Sequence, residues 1–414
     1  MITKKNELAL YGGSPVRKIP FPERYSYNIK EKNIVNKLLN HAILTGKPIR
    51  YSETYERQYE VSFTKFMGGG HCDLVNSGTN ALLCSLAALN LPAGSEVLVP
   101  VMNDPGGVMP IILLGLIPVP LDIEANSYNT NLFEIKKRVN SNTSAVIVCH
   151  IGGEPANIIP IQKYLNKKNI KLIEDCSQSH GAGINNIKVG NFGDIAFFST
   201  MASKLHFTGG QGGVIFSKNK LLIDKAKMFS DRGKKLINNN FTGEYSGIGI
   251  NCNIDEISAA IGCVQIIKLP LIIKKTNTIG SYISKKLQDI NSVSSIEIKK
   301  NFFNVFWFLR IKLDLKKIKV SKKIYCDALK AEGINLDYKY SYNPFIHKWI
   351  NKNNFNVHFN KYYKKNSLNL KNNFINYNKS INSHYNIYIR ENYSKNDIDD
   401  IVKSIIKIDS FFRK

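Results

Sequence analysis

Between Ile170 and Ser217 the chain reads IKLIEDCSQSHGAGINNIKVGNFGDIAFFSTMASKLHFTGGQGGVIFS. A short apolar run from Lys171 to Ile173 ends on Glu174 and Asp175, and a second, Ile195 to Phe198, ends on Ser199. Lys204 follows, ahead of the turn-rich Thr208-Gly209-Gly210-Gln211-Gly212-Gly213. An amine between an apolar strand and a Gly-rich turn is partly desolvated; its pKa falls, and it becomes a nucleophile able to form a Schiff base. Taken singly, Asp175 reads equally as a solvated loop carboxylate and Lys204 as a surface lysine. Together, an acid for a pyridinium nitrogen, a hydroxyl for a phosphate and a Schiff-base lysine are what a pyridoxal phosphate site needs.

The elements that must position these groups follow from the surrounding pattern. Strand ends carrying Asp, Ser and Lys suit the ligand crevice at the carboxyl edge of an open sheet. Earlier, Asp73-Leu74-Val75 runs into Asn76-Ser77-Gly78-Thr79 and then NALLCSLAALNL, which reads as strand, tight turn and helix. The N-terminus of that helix is an anion site by its free N–H groups and dipole; equally, Ser77 or Thr79 is an ordinary N-cap there. Further strands are expected at Glu96–Pro100, Ile117–Leu121 and Ala145–Cys149, the first two with a helix between them. His150, at a strand end, reads as a loop or core histidine or as a pocket residue. Alternating strands and helices predict an α/β fold with a mainly parallel sheet covered on both faces.

EDCSQSHGA, then GNFGDIAFFST, SK and TGGQGG, resembles the DegT-type sugar aminotransferases, which are fold type I pyridoxal phosphate enzymes. The resemblance runs from about Leu8 to about Lys268. It implies that Asp175 faces the pyridine nitrogen, Gln178 lies by the 3-hydroxyl, Ser199 holds the phosphate and Lys204 forms the internal aldimine. Ser77 to Ala81 matches that family's S-G-T-x-A, which implies that Gly78 and Thr79 touch the phosphate. Asn251, in GIGINCNIDEISAAIG, falls on an asparagine that in relatives reaches the partner subunit's cofactor phosphate. The implied assembly is a homodimer with shared active sites. The implied reaction is amino transfer, with glutamate as donor, to a keto sugar, nucleotide-linked, in amino-sugar or surface-glycan biosynthesis. Three departures stand out. Asp104 replaces the aromatic that stacks on the cofactor ring, Asn253 replaces an arginine, and one extra residue separates Lys204 from Gly213.

At 414 residues, 43% of them hydrophobic, the chain can hold two cores. Residues 1–30, rich in Gly and Pro, read as an extended arm; 31–269 as the large domain; 270–414, beginning at Pro270, as a smaller α+β C-terminal domain. In it, helices are expected at 275–290, 322–332 and 396–412, a strand over 302–313, and a low-complexity surface excursion over 351–380. Seven scattered cysteines, odd in number and without a C-x-x-C pair, argue for reduced thiols and against disulfides or zinc. No apolar leader opens the chain and no run of 18 apolar residues occurs, so a cytoplasmic enzyme with no membrane insertion is expected. The net charge of +25 is spread over lysines in an Asn- and Lys-rich sequence, with no nucleic-acid motif.

Two other functions compete. Dehydrating relatives replace the lysine with histidine, and His206 sits nearby, so a pyridoxamine phosphate-dependent sugar dehydratase is one. A non-catalytic regulatory protein, suggested by Asp104 and Asn253, is the other. A nicotinamide enzyme lacks its G-x-G-x-x-G.

Overall fold

The structure, a computed structural model, describes residues 8–24, 27–237, 240–297, 299–347 and 374–414. In chain order the first elements are α1 (Ile29–Thr45), α2 (Thr54–Met67), β1 (His71–Val75), α3 (Gly78–Leu89), β2 (Glu96–Pro100), α4 (Met109–Leu113), β3 (Ile117–Leu121), α5 (Leu132–Lys136) and β4 (Thr143–Cys149). Next come α6 (Ile158–Lys168), β5 (Lys171–Asp175), β6 (Gly183–Ile184), β7 (Ile187–Lys188), β8 (Ile195–Ser199), β9 (Gly213–Ser217), α7 (Lys220–Ser230), β10 (Lys234–Ile237) and β11 (Asn240–Tyr245). The chain closes with α8 (Glu256–Lys286), β12 (Val293–Ser295), β13 (Phe302–Phe303), β14 (Phe308–Leu313), α9 (Lys322–Ala331), α10 (Ile375–Ser383), β15 (His384–Tyr388) and α11 (Lys395–Phe412).

The central sheet has seven strands in the order β1-β9-β8-β5-β4-β2-β3. Pairings from β3 through β2, β4 and β5 to β8 are parallel; β9 runs antiparallel to both β8 and β1. The expected α/β class with a mainly parallel sheet is what the chain adopts. Both faces are buried, and alternate side chains of one strand serve different cores. Val97 and Val99 pack with Ala81, Leu82 and Leu86 of α3, while Leu98, between them, packs with Ile161 and Leu165 of α6. Near β1, β8 and β9, Phe198 and Phe216 meet Tyr59 and Phe63 of α2 and Leu269 of α8.

A further core surrounds the sheet β12-β14-β15. Leu309, Ile311 and Ile387 pack there with Ile279 and Ile283 of α8, Leu329 of α9 and Ile405 of α11. Leu8 belongs to the same core. The N-terminal segment, expected as an extended arm, is thereby pinned down. The N–H groups of Ala9 and Val16 donate to the two carboxylate oxygens of Glu332, at 3.0 and 2.9 Å, and Arg17 pairs with Asp397 and Asp400.

Several local expectations need correction. Pro270, expected at a break, lies inside α8. It sits on the exposed side of the helix, where its ring fills no core position and the missing N–H costs one helical hydrogen bond, and the buried stripe through Leu269, Ile273 and Ile283 continues past it. The strand expected over 302–313 is two strands, separated at Phe306, whose φ of 47 takes the backbone out of the extended region. The helix expected between Pro100 and Ile117 shrinks to one 3-10 turn, Pro105–Gly107, and the five residues of α4. The excursion expected over 351–380 lies outside the described residues up to 373, and its end forms α10. By composition α8 is long and apolar enough to cross a bilayer. It packs instead against α1 and α2, and its apolar character serves two cores.

Candidate active site

Five strand ends and one helix start meet at the carboxyl edge of the sheet. Asp175 is the last residue of β5 and Ser199 the last of β8; His150 follows β4 directly, and Asn103 and Asp104 follow β2. α3 begins at Gly78, just after β1. A cavity of about 820 Å³ opens here, lined by Gly78, Thr79, Asp175, Gln178, Ser199 and Lys204 among others. Six of the seven residues singled out in the sequence therefore line one cavity. Its volume suits a cofactor and a small substrate.

At the phosphate end, Ser77 caps α3: its Oγ accepts from Asn80 N at 3.1 Å. That leaves the N–H groups of Gly78 and Thr79 at a positive helix end. Of the two sequence readings of this turn, the cap by Ser77 is the one seen, and it leaves Gly78 and Thr79 uninvolved in capping. Gly78 is required by space. A Cβ there would lie 2.6 Å from Ser199 Cβ and 3.1 Å from Ser199 Oγ. Close approach of α3 to β8 thus places the serine hydroxyl beside the helix end.

At the other end, Asp175 Oδ1 accepts from Ser177 N at 3.0 Å, and Cys149 Sγ donates to Oδ2 at 3.7 Å. Burial raises the pKa of Asp175, opposed by the Ser177 hydrogen bonds and by the positive charge of Lys204. Lys204 sits in the bend after β8, its N–H bonded to Met201 O at 2.9 Å. Burial lowers the pKa of its amine, opposed by Asp175 and Asp104. The amine lies 4.5 Å from the centroid of the Trp307 ring, and Trp307 Nε1 donates to Ser203 O at 3.0 Å. Arg24 donates to the Lys204 carbonyl at 3.1 Å. Gln178 is held between Gly152 N, which donates to its Oε1 at 2.8 Å, and Tyr340 OH, 3.1 Å from its Nε2.

His150 lines the cavity but is committed to the scaffold. Ala156 N donates to its Nδ1 at 3.0 Å, so Nε2 carries the proton and donates to Glu174, 3.1 Å away. Glu174 also accepts from Gly190, Phe192 and Gly193 N–H groups. His206, the residue behind the dehydratase reading, is fully buried, bonded to Tyr59 OH and absent from the cavity lining. Burial pushes its pKa down to about 3.

Asn251 is not among the lining residues. It bridges Asp231, and its Oδ1 accepts from Asn253 Nδ2 at 2.8 Å. The sequence also did not indicate the far wall, formed by Trp307, Tyr340, Tyr342 and Tyr388 with Arg24 and Arg390. Those residues come from segments whose only sequence signal is aromatic richness.

An acid, an amine and a helix-start cradle in one cavity fit pyridoxal phosphate: the Gly78–Ser199 approach sets the serine hydroxyl beside the N–H groups of the helix start. Comparison with known proteins agrees. The GDP-perosamine synthase of Vibrio cholerae is 29% identical over 278 residues, 67% of this chain and 74% of that protein. The dTDP-3-amino-3,6-dideoxy-alpha-D-galactopyranose transaminase of Aneurinibacillus thermoaerophilus is 28% identical over 249 residues, 60% of this chain and 66% of that protein. In fold, the aminotransferase from Psychrobacter cryohalolentis superposes with a TM-score of 0.81 at 20% identity, covering 93% of this chain and 98% of that one. The model of the DegT/DnrJ/EryC1/StrS aminotransferase family matches residues 30–406. The chain therefore belongs to the DegT/DnrJ/EryC1/StrS aminotransferase family and is a pyridoxal phosphate-dependent transaminase.

Proposed function

We propose that this transaminase moves an amino group from glutamate to a keto sugar, nucleotide-linked, in the synthesis of an amino sugar for a surface glycan. The observation that carries the reading is the meeting of Asp175, Lys204, Ser199 and the start of α3 in one cavity. Relatives named for a GDP-linked and a dTDP-linked amino sugar support the substrate class. His206, sealed against Tyr59, gives dehydration no support, and a retained lysine, aspartate and glutamine argue for catalysis over a regulatory role.

Bound in this cavity, pyridoxal phosphate supplies the electron sink that stabilises a carbanion next to nitrogen. Gly78, Thr79 and Ser199 would hold its phosphate, and Gln178 its ring hydroxyl. Asp175, buried and reluctant to be charged alone, is satisfied by a positive partner and would keep a ring N–H protonated. Lys204 Nζ would hold the cofactor covalently, and the same amine would take a proton from the donor's α carbon and return one on the acceptor side. Its lowered proton affinity favours the neutral amine that base catalysis needs. Trp307 lies against the amine, and Tyr340 lines the same cavity at Gln178.

The active unit is a homodimer with shared sites, Asn251 of one subunit bonding the phosphate held in the other. The large domain spans 31–269, and the smaller one, 270–414, closes the cavity from the opposite side. Ile248, 92% exposed, with Ile43, Leu44 and Ile267, offers apolar surface for a second copy. The seven cysteines are unpaired, and the enzyme works in the reducing cytoplasm without membrane insertion.

A half-reaction screen tests the substrate. The protein is loaded with pyridoxamine phosphate, and absorbance is followed with nucleotide-linked 3- and 4-keto sugars, keto inositols and small keto phosphates. Return of the visible band with a nucleotide-linked keto sugar is expected. Return with keto inositols alone would overturn the nucleotide-linked reading.

A further inference from the structure

The bend that carries Lys204 is held from outside by residues far away in the chain. Arg24 donates from Nη1 to the Lys204 carbonyl at 3.1 Å. Its Nε donates to Oε2 of Glu391, a few residues past β15, at 2.9 Å. One guanidinium thus ties the backbone of the lysine to the C-terminal sheet, bonding in two directions as a planar fork of fixed N–H groups can. The neighbouring carbonyl is fixed as well, since Trp307 Nε1 donates to Ser203 O at 3.0 Å. Tyr27 OH donates to Gly209 O at 3.2 Å, and its ring meets Phe207 edge-on at 5.1 Å. Inside the bend, Lys204 N donates to Met201 O at 2.9 Å and Ala202 N to Gly210 O at 3.1 Å.

A second ion pair fastens the same N-terminal segment without reaching the bend. Arg390 donates to Pro22 O at 2.7 Å and pairs with Glu23, whose side chain is 81% exposed. Among the described residues, no hydrogen bond links Glu23 or Arg390 to the bend. The side chains of Arg24 and Glu391 are only 14% and 16% exposed. A pair so far from water keeps its geometry, whereas an exposed one competes with solvent.

We propose that Arg24 is a positioning residue for Lys204: held by Glu391, it fixes the Lys204 carbonyl and with it the direction in which the amine enters the cavity. The proposal rests on Lys204 as the reactive amine. The carbonyls of Ser203 and Lys204 belong to the two planar peptide units that flank the Lys204 Cα. Pinning both fixes φ and ψ there and leaves only side-chain rotation to aim the amine. A misplacement of about 1 Å at a reacting group costs on the order of 100-fold in rate.

The test reads the bend without the cofactor. Hydrogen–deuterium exchange of the peptide spanning 201–209 is followed by mass spectrometry in the cofactor-free chain and in its Arg24→Ala, Arg24→Lys, Glu391→Gln and Glu23→Gln variants. Exchange is expected to rise about tenfold in Arg24→Ala. It should rise less in Arg24→Lys, which keeps the charge without the fork, and in Glu391→Gln, which keeps an acceptor without the charge. Glu23→Gln should match the native chain. In the loaded enzyme, Arg24→Ala is expected to lower kcat about tenfold, with KM for the amino donor within about twofold of native. Unchanged exchange or a native kcat in Arg24→Ala overturns the proposal, as does an equal rise in Glu23→Gln. Should Arg24→Ala fail to fold, Arg24→Lys and Glu391→Gln carry the test, and native exchange in both overturns the proposal. Borohydride reduction of the loaded native enzyme, followed by peptide mapping, separates this inference from the functional reading. Cofactor fixed on another lysine overturns both; cofactor on Lys204 with unchanged exchange in Arg24→Ala overturns the proposal alone.

Discussion

Among the described residues, Lys204 is the one lysine that lines the cavity. Lys204→Ala should lower turnover about 1000-fold or more, since both covalent attachment and proton transfer go; steady-state assay with the substrate found in the screen checks this. Asp175→Asn keeps the shape and removes the charge, and should lower turnover about 100-fold while the cofactor still binds. A second group of carboxylates governs pH dependence. Glu56 and Asp73, with Glu60 and Lys227, form a buried cluster beside β1. Burial pushes Glu56 up to about 8 and Asp73 up to about 7, helped by neighbouring carboxylates. The folded chain therefore holds protons that the unfolded chain has released above about pH 4. Folding takes up protons across that window, so stability from these groups falls as pH rises from about 4 to about 8. Glu56→Gln should flatten the decline of Tm with pH between 5 and 8; an unaltered slope would exclude Glu56 as its source.

Helix α8 joins the two cores, and two of its residues have opposite consequences. Pro270 is exposed and removes one helical hydrogen bond without filling a core position. Pro270→Ala should raise stability by about 1–3 kcal/mol. Gly280 looks equally replaceable by helix propensity, but a Cβ there would lie 2.4 Å from the buried ring of Phe306. Gly280→Ala should cost about 1–3 kcal/mol, because the overlap outweighs the propensity gain. Urea unfolding midpoints of the two variants should move in opposite directions. The same helix caps its neighbour: Glu256 accepts from the N–H groups of Tyr55 and Glu56, at 2.8 and 2.9 Å, at the start of α2.

For the whole molecule, the proposed shared-site dimer makes a prediction that neither subunit makes alone. Asn251→Ala should weaken cofactor binding about tenfold or more, the loss of a charge-assisted bond worth roughly 1.5–3 kcal/mol. Lys204→Ala and Asn251→Ala chains are each expected to be impaired. In a mixed dimer, one site carries both lesions and its twin carries none. Random exchange of equal amounts should therefore restore about a quarter of native activity, since about half the dimers are mixed and each has one intact site. Mixed dimers shown to form without any recovery would rule the arrangement out.

Asp175, Ser199, Lys204, Gly78 and Thr79 were legible because strand ends, a helix start and a Gly-rich turn are local features. Each is written within a few residues, and the alternation of strand and helix sends them to one edge of a parallel sheet. What gathers around them was not legible, because it depends on contacts between distant segments. Trp307 lies over Lys204 because β14 packs beside the large sheet, and Tyr340 meets Gln178 across the same gap. Pro270 misled because a proline's local cost is outweighed where a helix buries a continuous apolar stripe. His206 stood near the lysine in sequence, yet the fold turned it into the core against Tyr59. Chain order brought Asp104 only to the wall; the tightness of its turn on Thr79 was decided by the packing of α3 against the strand ends.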